Sequence, residues 1–157
     1  MHKWIETKTT IRMNIKLALL LSLVLVGCSL NKNKSINKKS IAVNQSSIKN
    51  EKLKDYTFLK DMYQDSYFPN FLVDKGKEIL VKLCLQIEAE NPESLSELYK
   101  LTHAATNKFN DLEDEFGENG SELETGAREA IGGDFAFIAQ VYGFDADIEE
   151  LIATRYW

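Results

Sequence analysis

Hydrophobic residues are distributed in three different ways along this chain of 157 residues. Residues 17–28 form one continuous apolar run, whereas residues 29–54 carry only scattered single apolar residues among lysine, asparagine and serine. From residue 55 onward, apolar residues recur at intervals of three and four, which is typical of amphipathic helices. The pattern therefore predicts a signal peptide over residues 1–27, a tether over residues 28–54 and a helical domain over residues 55–157.

The spacing within the domain predicts four or five helices. A short amphipathic helix is expected within residues 55–64, followed by a turn, because Pro69 drives the preceding residue toward extended geometry. A last element is expected to begin at Asp145 or Asp147, either of which can cap a helix, and Trp157 is expected to dock onto the core. Between these elements, three longer helices are predicted over residues 72–87, 95–116 and 123–141.

Capping residues mark the expected helix ends. The Asn91-Pro92 pair stops the first long helix and could start the second, while Ser94 and Glu97 offer a capping box as an alternative start. A further capping box over residues 121–124 is expected to open the third long helix, and Gly143 is expected to end it in a left-handed conformation. Short connections of this kind predict an all-α fold, either a four- to five-helix bundle or an orthogonal helical array.

The apolar run ends in Leu-Val-Gly-Cys at residues 25–28. This sequence resembles the lipobox of bacterial lipoproteins, in which a signal peptidase cuts before a cysteine that carries a lipid thioether. Only a thiol side chain can take the lipid in this way, and the small Gly27 leaves the bond accessible. A membrane-spanning helix is disfavoured, because spanning the hydrocarbon core takes about 20 apolar residues. We therefore expect lipidation of Cys28, by fatty acids such as palmitate.

This signal predicts the location of the protein. A lipid on Cys28 would anchor the chain to a membrane of the bacterial cell envelope, and Ser29 resembles the residue that follows the cysteine in lipoproteins of the outer membrane. The chain contains two possible initiator methionines, Met1 and Met13, and either would precede a basic residue and the apolar run. The membrane is therefore the first expected partner.

Charge reverses between the tether and the domain. Residues 29–54 contain seven lysines and one glutamate, a net charge of +6, whereas residues 55–157 contain eight basic and 22 acidic residues, a net charge of −14. Because it lacks aromatic residues, the tether cannot offset its chain entropy by apolar burial, and we expect it to be disordered. Its lysines could contact an anionic bilayer, contact the acidic domain or simply add solubility. Nucleic acid is a disfavoured partner for a domain of this charge.

Three runs resemble a family of small bacterial proteins that is classed as a domain of unknown function. They are KDMYQDSYFP at residues 60–69, LTHAAT at residues 101–106 and DADIEELIATR at residues 145–155. The resemblance spans nearly the whole domain. It implies a single helical domain, and it implies no activity, cofactor or catalytic residue.

Candidate catalytic residues are few. His103 is the only histidine after Cys28, and it would need a carboxylate to orient its ring. In an unbroken helix Asp134 would lie on the apolar stripe between Ile131 and Ile138, where an unpaired charge is costly. The favoured interpretation is that Gly132 and Gly133 break the helix and that Asp134 caps the part that follows. The alternative is an enzyme that uses His103 with Asp134 or a nearby glutamate.

The remaining polar and sulfur-containing groups suggest no cofactor. The acidic run over residues 111–124 lacks the spacing of a calcium-binding loop, and no Glu-x-x-His pair is present for a di-iron site, so no metal is predicted. Cys84 has no partner for a disulfide once Cys28 is lipidated, and it is expected to be a small buried hydrophobic residue.

One aromatic segment is a candidate interaction surface. It contains Tyr63, Tyr67, Phe68 and Phe71, which are more aromatic residues than a short turn requires. A lid over the open end of the helical bundle is the favoured interpretation, and a binding patch is the alternative. With no catalytic constellation, the sequence favours a non-enzymatic interaction module, immunity-like or inhibitory, with a basic protein as its partner.

Overall fold

The structure, a computed structural model, describes residues 43–157, and it is helical throughout this part. A short 3-10 helix, Gln45–Ser47, precedes six α-helices. They are α1 (Glu51–Lys54), α2 (Lys60–Gln64), α3 (Asn70–Glu90), α4 (Leu95–Glu118), α5 (Thr125–Val141) and α6 (Ile148–Leu151). The predicted all-α fold is confirmed, and no strand interrupts the helices over residues 43–157.

Helices α3 and α4 form the centre of the domain and run antiparallel. In the second turn of α3, Gly76 lies so close to α4 that an added Cβ atom would come within 3.1 Å of the ring of Phe109. The adjacent Lys75 forms an ion pair with Glu115 in the last turns of α4. Long apolar side chains on both helices, such as Leu80 and Leu98, are fully buried, and this burial is the main stabilising contribution.

Helix α5 covers the central pair, and α6 with the C-terminal segment closes the domain. The rings of Phe109 on α4 and Phe135 on α5 lie 6.1 Å apart between centroids. After α6, the side-chain amide of Asn110 donates to the carbonyl of Thr154 across 3.0 Å. The Trp157 ring lies 6.4 Å from that of Phe109, so the predicted docking of Trp157 is confirmed.

The boundary between α3 and α4 follows one of the two predicted starts. Asn91 adopts a left-handed conformation with φ 47° and ends α3, so it does not start the next helix. Ser94 caps α4, since its hydroxyl accepts from the backbone N–H of Glu97 across 3.3 Å. The Glu97 carboxylate accepts from the N–H of Glu93 rather than that of Ser94, which shifts the capping box by one residue.

The predicted capping box at residues 121–124 is wrong. The N–H of Ser121 donates to the carbonyl of Phe116, which together with the left-handed Gly120 closes the end of α4. Ser121 therefore belongs to the helix before it, and α5 begins at Thr125 without a side-chain cap. The same closing geometry recurs after α5, where Gly143 has φ 89° as predicted.

The ordered domain begins earlier than the predicted boundary at residue 55. Ile48 is 1% exposed and Leu53 is fully buried, so residues 43–54 pack against the helices, and their expected disorder is wrong. Two backbone carbonyls, those of Leu53 and Tyr56, accept from the side-chain amide of Gln45. The first predicted helix is also shorter than expected, because α2 begins only at Lys60. The predicted signal, Cys28 and the rest of the tether lie outside the described residues.

Candidate functional site

Among the described residues 43–157, Asp134 is the one carboxylate that is buried. Helix α5 runs unbroken through Gly132 and Gly133, and Asp134 lies in its interior with 5% of its surface exposed. The predicted helix break and N-cap are therefore wrong. Gly132 instead serves packing: it faces α6, where an added Cβ would lie 3.0 Å from the side chain of Ile148.

The partners of Asp134 come from the segment between α1 and α2. One carboxylate oxygen accepts from the hydroxyl of Tyr56 across 2.9 Å, and the other accepts from the backbone N–H of Leu59 across 2.7 Å. Leu59 has φ 52°, a left-handed conformation that a leucine rarely adopts, and it directly precedes α2. The backbone N–H of Leu59, at the start of α2, thus finds its acceptor in the Asp134 side chain of α5 and not in a neighbouring residue.

The electrostatics of this site follow from burial. Desolvation raises the pKa of Asp134 to about 6, although the hydrogen bonds from Leu59 and Tyr56 act in the opposite direction. Burial and the hydrogen bond to Asp134 likewise raise the pKa of the Tyr56 hydroxyl to about 12. The Tyr56 ring stacks on Phe137 at 4.4 Å, which fixes the position of its hydroxyl.

A solvent-accessible cleft of about 640 Å³ lies over Asp134. Its lining includes Tyr56 and Lys60 on one side and Gly133 and Asp134 on α5. A buried carboxylate with a raised pKa in a cleft is a frequent feature of catalytic sites. Here each carboxylate oxygen accepts a hydrogen bond from a donor of the protein itself, so Asp134 ties the segment between α1 and α2 to α5.

His103 occupies a different part of the domain. Its Nε2 atom lies 2.7 Å from the backbone carbonyl of Glu150, and its ring stacks on Tyr99 with an interplanar angle of 5°. The hydroxyl of Thr154 donates to the carbonyl of His103. The structure therefore joins His103 to the C-terminal segment and Asp134 to the N-terminal one. It does not bring them together, and the contact from Glu150 is made by its backbone instead of its carboxylate.

The predicted aromatic segment divides into buried and exposed residues. Phe68 is 7% exposed and packs against Phe116, and the Tyr63 hydroxyl donates to Asp74 across 2.6 Å. Tyr67 and Phe71 are 43% and 53% exposed. Part of the segment is thus the predicted lid, and part of it is available at the surface.

The acidic run at the end of α4 shows no grouping suited to a metal ion. Within residues 43–157, no three histidine, cysteine, aspartate or glutamate side chains are placed to hold one. Glu122 lies beside Glu124, and their mutual hydrogen bond and repulsion raise the pKa of Glu122. Cys84 is fully buried as predicted, and burial raises the pKa of its thiol to about 12, so this thiol is not a nucleophile.

A second carboxylate, which the sequence pattern did not indicate, also accepts several hydrogen bonds. Glu88 near the end of α3 accepts from the backbone N–H groups of Lys49 and Asn50, each across 2.9 Å, and from the hydroxyl of Tyr142 across 3.0 Å. Partial burial acts to raise the pKa of Glu88, but these donors hold it below its ordinary value. Glu88 thus fastens the segment before α1 to the core. Because Glu88 is far in sequence from the residues that donate to it, no local sequence pattern predicts these hydrogen bonds.

The chain matches a known protein family over about two thirds of its length. Residues 52–157 match the profile of a family of unknown function, DUF5713. The chain belongs to this family. The resemblance predicted from three short runs is confirmed, and the DUF5713 match includes Tyr56, Leu59 and Asp134, while Lys49 and Asn50 precede it. No curated protein and no solved structure matches the chain.

None of the helices over residues 43–157 combines the length and the apolar composition that crossing a bilayer requires.

Proposed function

We propose that this protein is a lipid-anchored component of the bacterial cell envelope whose DUF5713 domain is a non-enzymatic interaction module. The domain would bind a basic protein, in the manner of an immunity or inhibitory protein. The anchor rests on the lipobox-like sequence at residues 25–28, and Cys28 is the proposed lipidation site. The tether would hold the domain away from the lipid head groups.

The observation that carries the interaction module is the large number of exposed carboxylates without a basic neighbour. Residues 55–157 have a net charge of −14. In the acidic run over residues 111–124, only Asp111 and Glu115 form ion pairs among the described residues, with Lys108 and Lys75. A surface of one sign of charge favours fast, electrostatically steered association with a partner of the opposite sign.

The enzyme alternative has less support. It requires His103 to converge with Asp134 or with the carboxylate of a nearby glutamate, and each of these two side chains is instead engaged by a separate segment. Fold alone supports neither function, so the choice rests on this geometry.

The experiment that tests the proposal uses the full-length chain in the bacterium that encodes it. Metabolic labelling with an alkyne analogue of palmitate should label the protein in membranes, and Cys28→Ser should abolish the label. The tagged chain is then captured after reversible cross-linking and washed at low and high salt. A stoichiometric basic protein that leaves at high salt supports the interaction module, whereas labelling without any such partner would contradict it.

A further inference from the structure

We propose that the basic partner docks on one end of the domain, at a surface formed by Tyr67, Phe71, Asp114, Glu115 and Glu118, named here the aromatic–acidic surface. This inference rests on the proposed function and specifies where and by what chemistry it operates. The partner is a protein with a positively charged surface and an apolar pocket that accepts an aromatic side chain.

The antiparallel packing of α3 and α4 brings these residues together. Phe71 lies one turn before Lys75 on the same face of α3, and Lys75 pairs with Glu115. Glu118 lies about one turn beyond Glu115 on α4. Helices α3 and α4 run in opposite directions, so the start of α3 and the end of α4 lie at the same end of the domain. Phe71 and Glu118 are therefore both displaced toward this end from the Lys75–Glu115 pair, each by about 5 Å along its helix.

The aromatic part of this surface is anchored from below. Tyr67 contacts Phe68 edge to face at 5.0 Å, and Phe68 in turn contacts Phe116 in the last turn of α4 at 6.4 Å. The exposed ring of Tyr67 therefore rests on a buried base and needs little further ordering on binding, and the exposed Phe71 follows it at the start of α3. Aromatic residues held in this way are frequent anchors of protein interfaces.

The acidic part of the surface is placed where it weakens its own helix. The C-terminal end of a helix carries partial negative charge and is stabilised by basic residues, yet the last turn of α4 contains none. Asp114 and Glu118 are also spaced four apart, which places like charges side by side. Residues that oppose local stability are typical of functional surfaces. Together with the helix end, Asp114 and Glu118 leave excess negative charge beyond the Lys75–Glu115 pair, at the end of α4 that lies at the same end of the domain as Phe71.

Charge complementarity selects the occupant. An anionic bilayer would be repelled by this surface, and so would the acidic domain of a second copy of the chain. The apolar contribution of two rings implies an anchoring pocket rather than a purely ionic contact. A basic protein with such a pocket satisfies both features.

The test places a photoreactive p-benzoylphenylalanine at position 71 of the full-length chain in its own bacterium. A matched control carries the same residue at Leu95, which is 39% exposed and lies at the opposite end of α4. Adducts are identified by mass spectrometry. A third strain combines the probe at position 71 with Asp114→Lys and Glu118→Lys, and its thermal unfolding is measured in parallel.

The expected result is one adduct at position 71 with a basic protein. This adduct should be at least tenfold weaker in the charge-reversed strain and absent when the probe is at position 95. The charge-reversed protein should remain folded, which separates lost binding from unfolding. Four results would overturn the inference: no adduct, an adduct with residues 29–42 or a second copy, equal labelling at position 95, or labelling that does not change on charge reversal. If a basic partner is still captured in any of these cases, the interaction module stands and only its location is wrong.

Discussion

The Asp134 carboxylate, in the middle of α5, accepts a hydrogen bond across 2.7 Å from the backbone N–H of Leu59, a residue 75 positions earlier in the chain. Leu59 is in the left-handed region, and it is 1% exposed. An unsatisfied N–H at such a site would be costly, so Asp134 stabilises a turn that the local sequence cannot stabilise alone. The buried charge is explained by packing of the N-terminal segment, without recourse to catalysis.

The hydrogen bonds of Asp134 can be isolated by comparing two uncharged variants. In Asp134→Asn, the side-chain oxygen can accept from Leu59 and the amide can donate to the Tyr56 hydroxyl. In Asp134→Ala, the N–H of Leu59 loses its partner. We expect the alanine variant to be less stable than the asparagine variant by about 2 kcal/mol in urea unfolding. Equal stabilities would show that the bond to Leu59 contributes nothing.

The raised pKa of Asp134 predicts a specific dependence of stability on pH. In the unfolded chain its pKa is near 4, and in the folded protein it is about 6. The favourable contribution of the protonated form is therefore complete below about pH 4 and is lost as the pH rises through 6. The loss amounts to roughly 3 kcal/mol for a shift of two units.

Asp134→Asn serves as the reference for this measurement, because it does not titrate. Urea unfolding of both proteins between pH 4 and pH 7 should show the asparagine variant gaining stability relative to the wild type as the pH rises. The lowered pKa of Glu88 acts with the opposite sign, since its contribution is lost as the pH falls, but it is present in both proteins and cancels. A difference that is constant with pH would contradict the assignment.

The sequence predicted the elements that are determined by residues close to one another in the chain. The three- and four-residue spacing located α3, α4 and α5, and Gly143 marked the end of α5, because amphipathic periodicity and left-handed caps depend on neighbouring residues. The same periodicity places Asp134 on the apolar stripe of an unbroken helix, which is what the structure has. A helix break was predicted instead, because the donors that satisfy the carboxylate lie in a distant segment and local sequence does not indicate them.

The other errors have the same origin. Residues 43–54 resemble the polar tether in composition, and their order depends on Glu88, which is 39 residues away from Lys49. Ser121 matches a capping box in sequence, but its N–H is used to close the preceding helix. At the candidate interaction surface, sequence identified the aromatic residues but not which of them are exposed, because that depends on the packing of Phe68 against α4.

Two glycines in helix interiors provide a test of the packing between α2, α3 and α4. An added Cβ at Gly76 would lie 2.9 Å from the side chain of Leu59 and 3.1 Å from that of Phe109, whereas one at Gly133 would meet nothing within 4 Å. We expect Gly76→Ala to lower the stability by about 1 kcal/mol, because overpacking outweighs the gain in helix propensity. Gly133→Ala, the matched control, should raise it by roughly 0.5–1 kcal/mol. If both variants unfold at a higher temperature than the wild type, the close contact at Gly76 is refuted.

The hydrogen bonds accepted by Glu88 predict a local change on mutation. Glu88→Ala removes the acceptor for the N–H groups of Lys49 and Asn50, so hydrogen exchange over residues 45–53 should become at least tenfold faster, while α4 remains protected. Asp111→Ala, which removes an exposed ion pair with Lys108 on α4, is the control. Unchanged exchange in the N-terminal segment would mean that apolar burial alone holds it.

The negative charge at the end of α4 should also be measurable as a cost to stability. Glu118→Lys places a cation at the helix C-terminus and next to Asp114, so we expect a gain of about 0.5–1 kcal/mol at low salt, or a few degrees in Tm. Glu97→Lys at the opposite end of α4 should be destabilising, because it reverses a favourable charge and removes the acceptor of the Glu93 N–H. Both changes act on exposed groups, so their electrostatic parts should shrink in 1 M salt. If Glu118→Lys lowers the stability at low salt, this end of the helix is not under electrostatic strain, and the argument that its acidic residues are kept for a partner loses its physical basis.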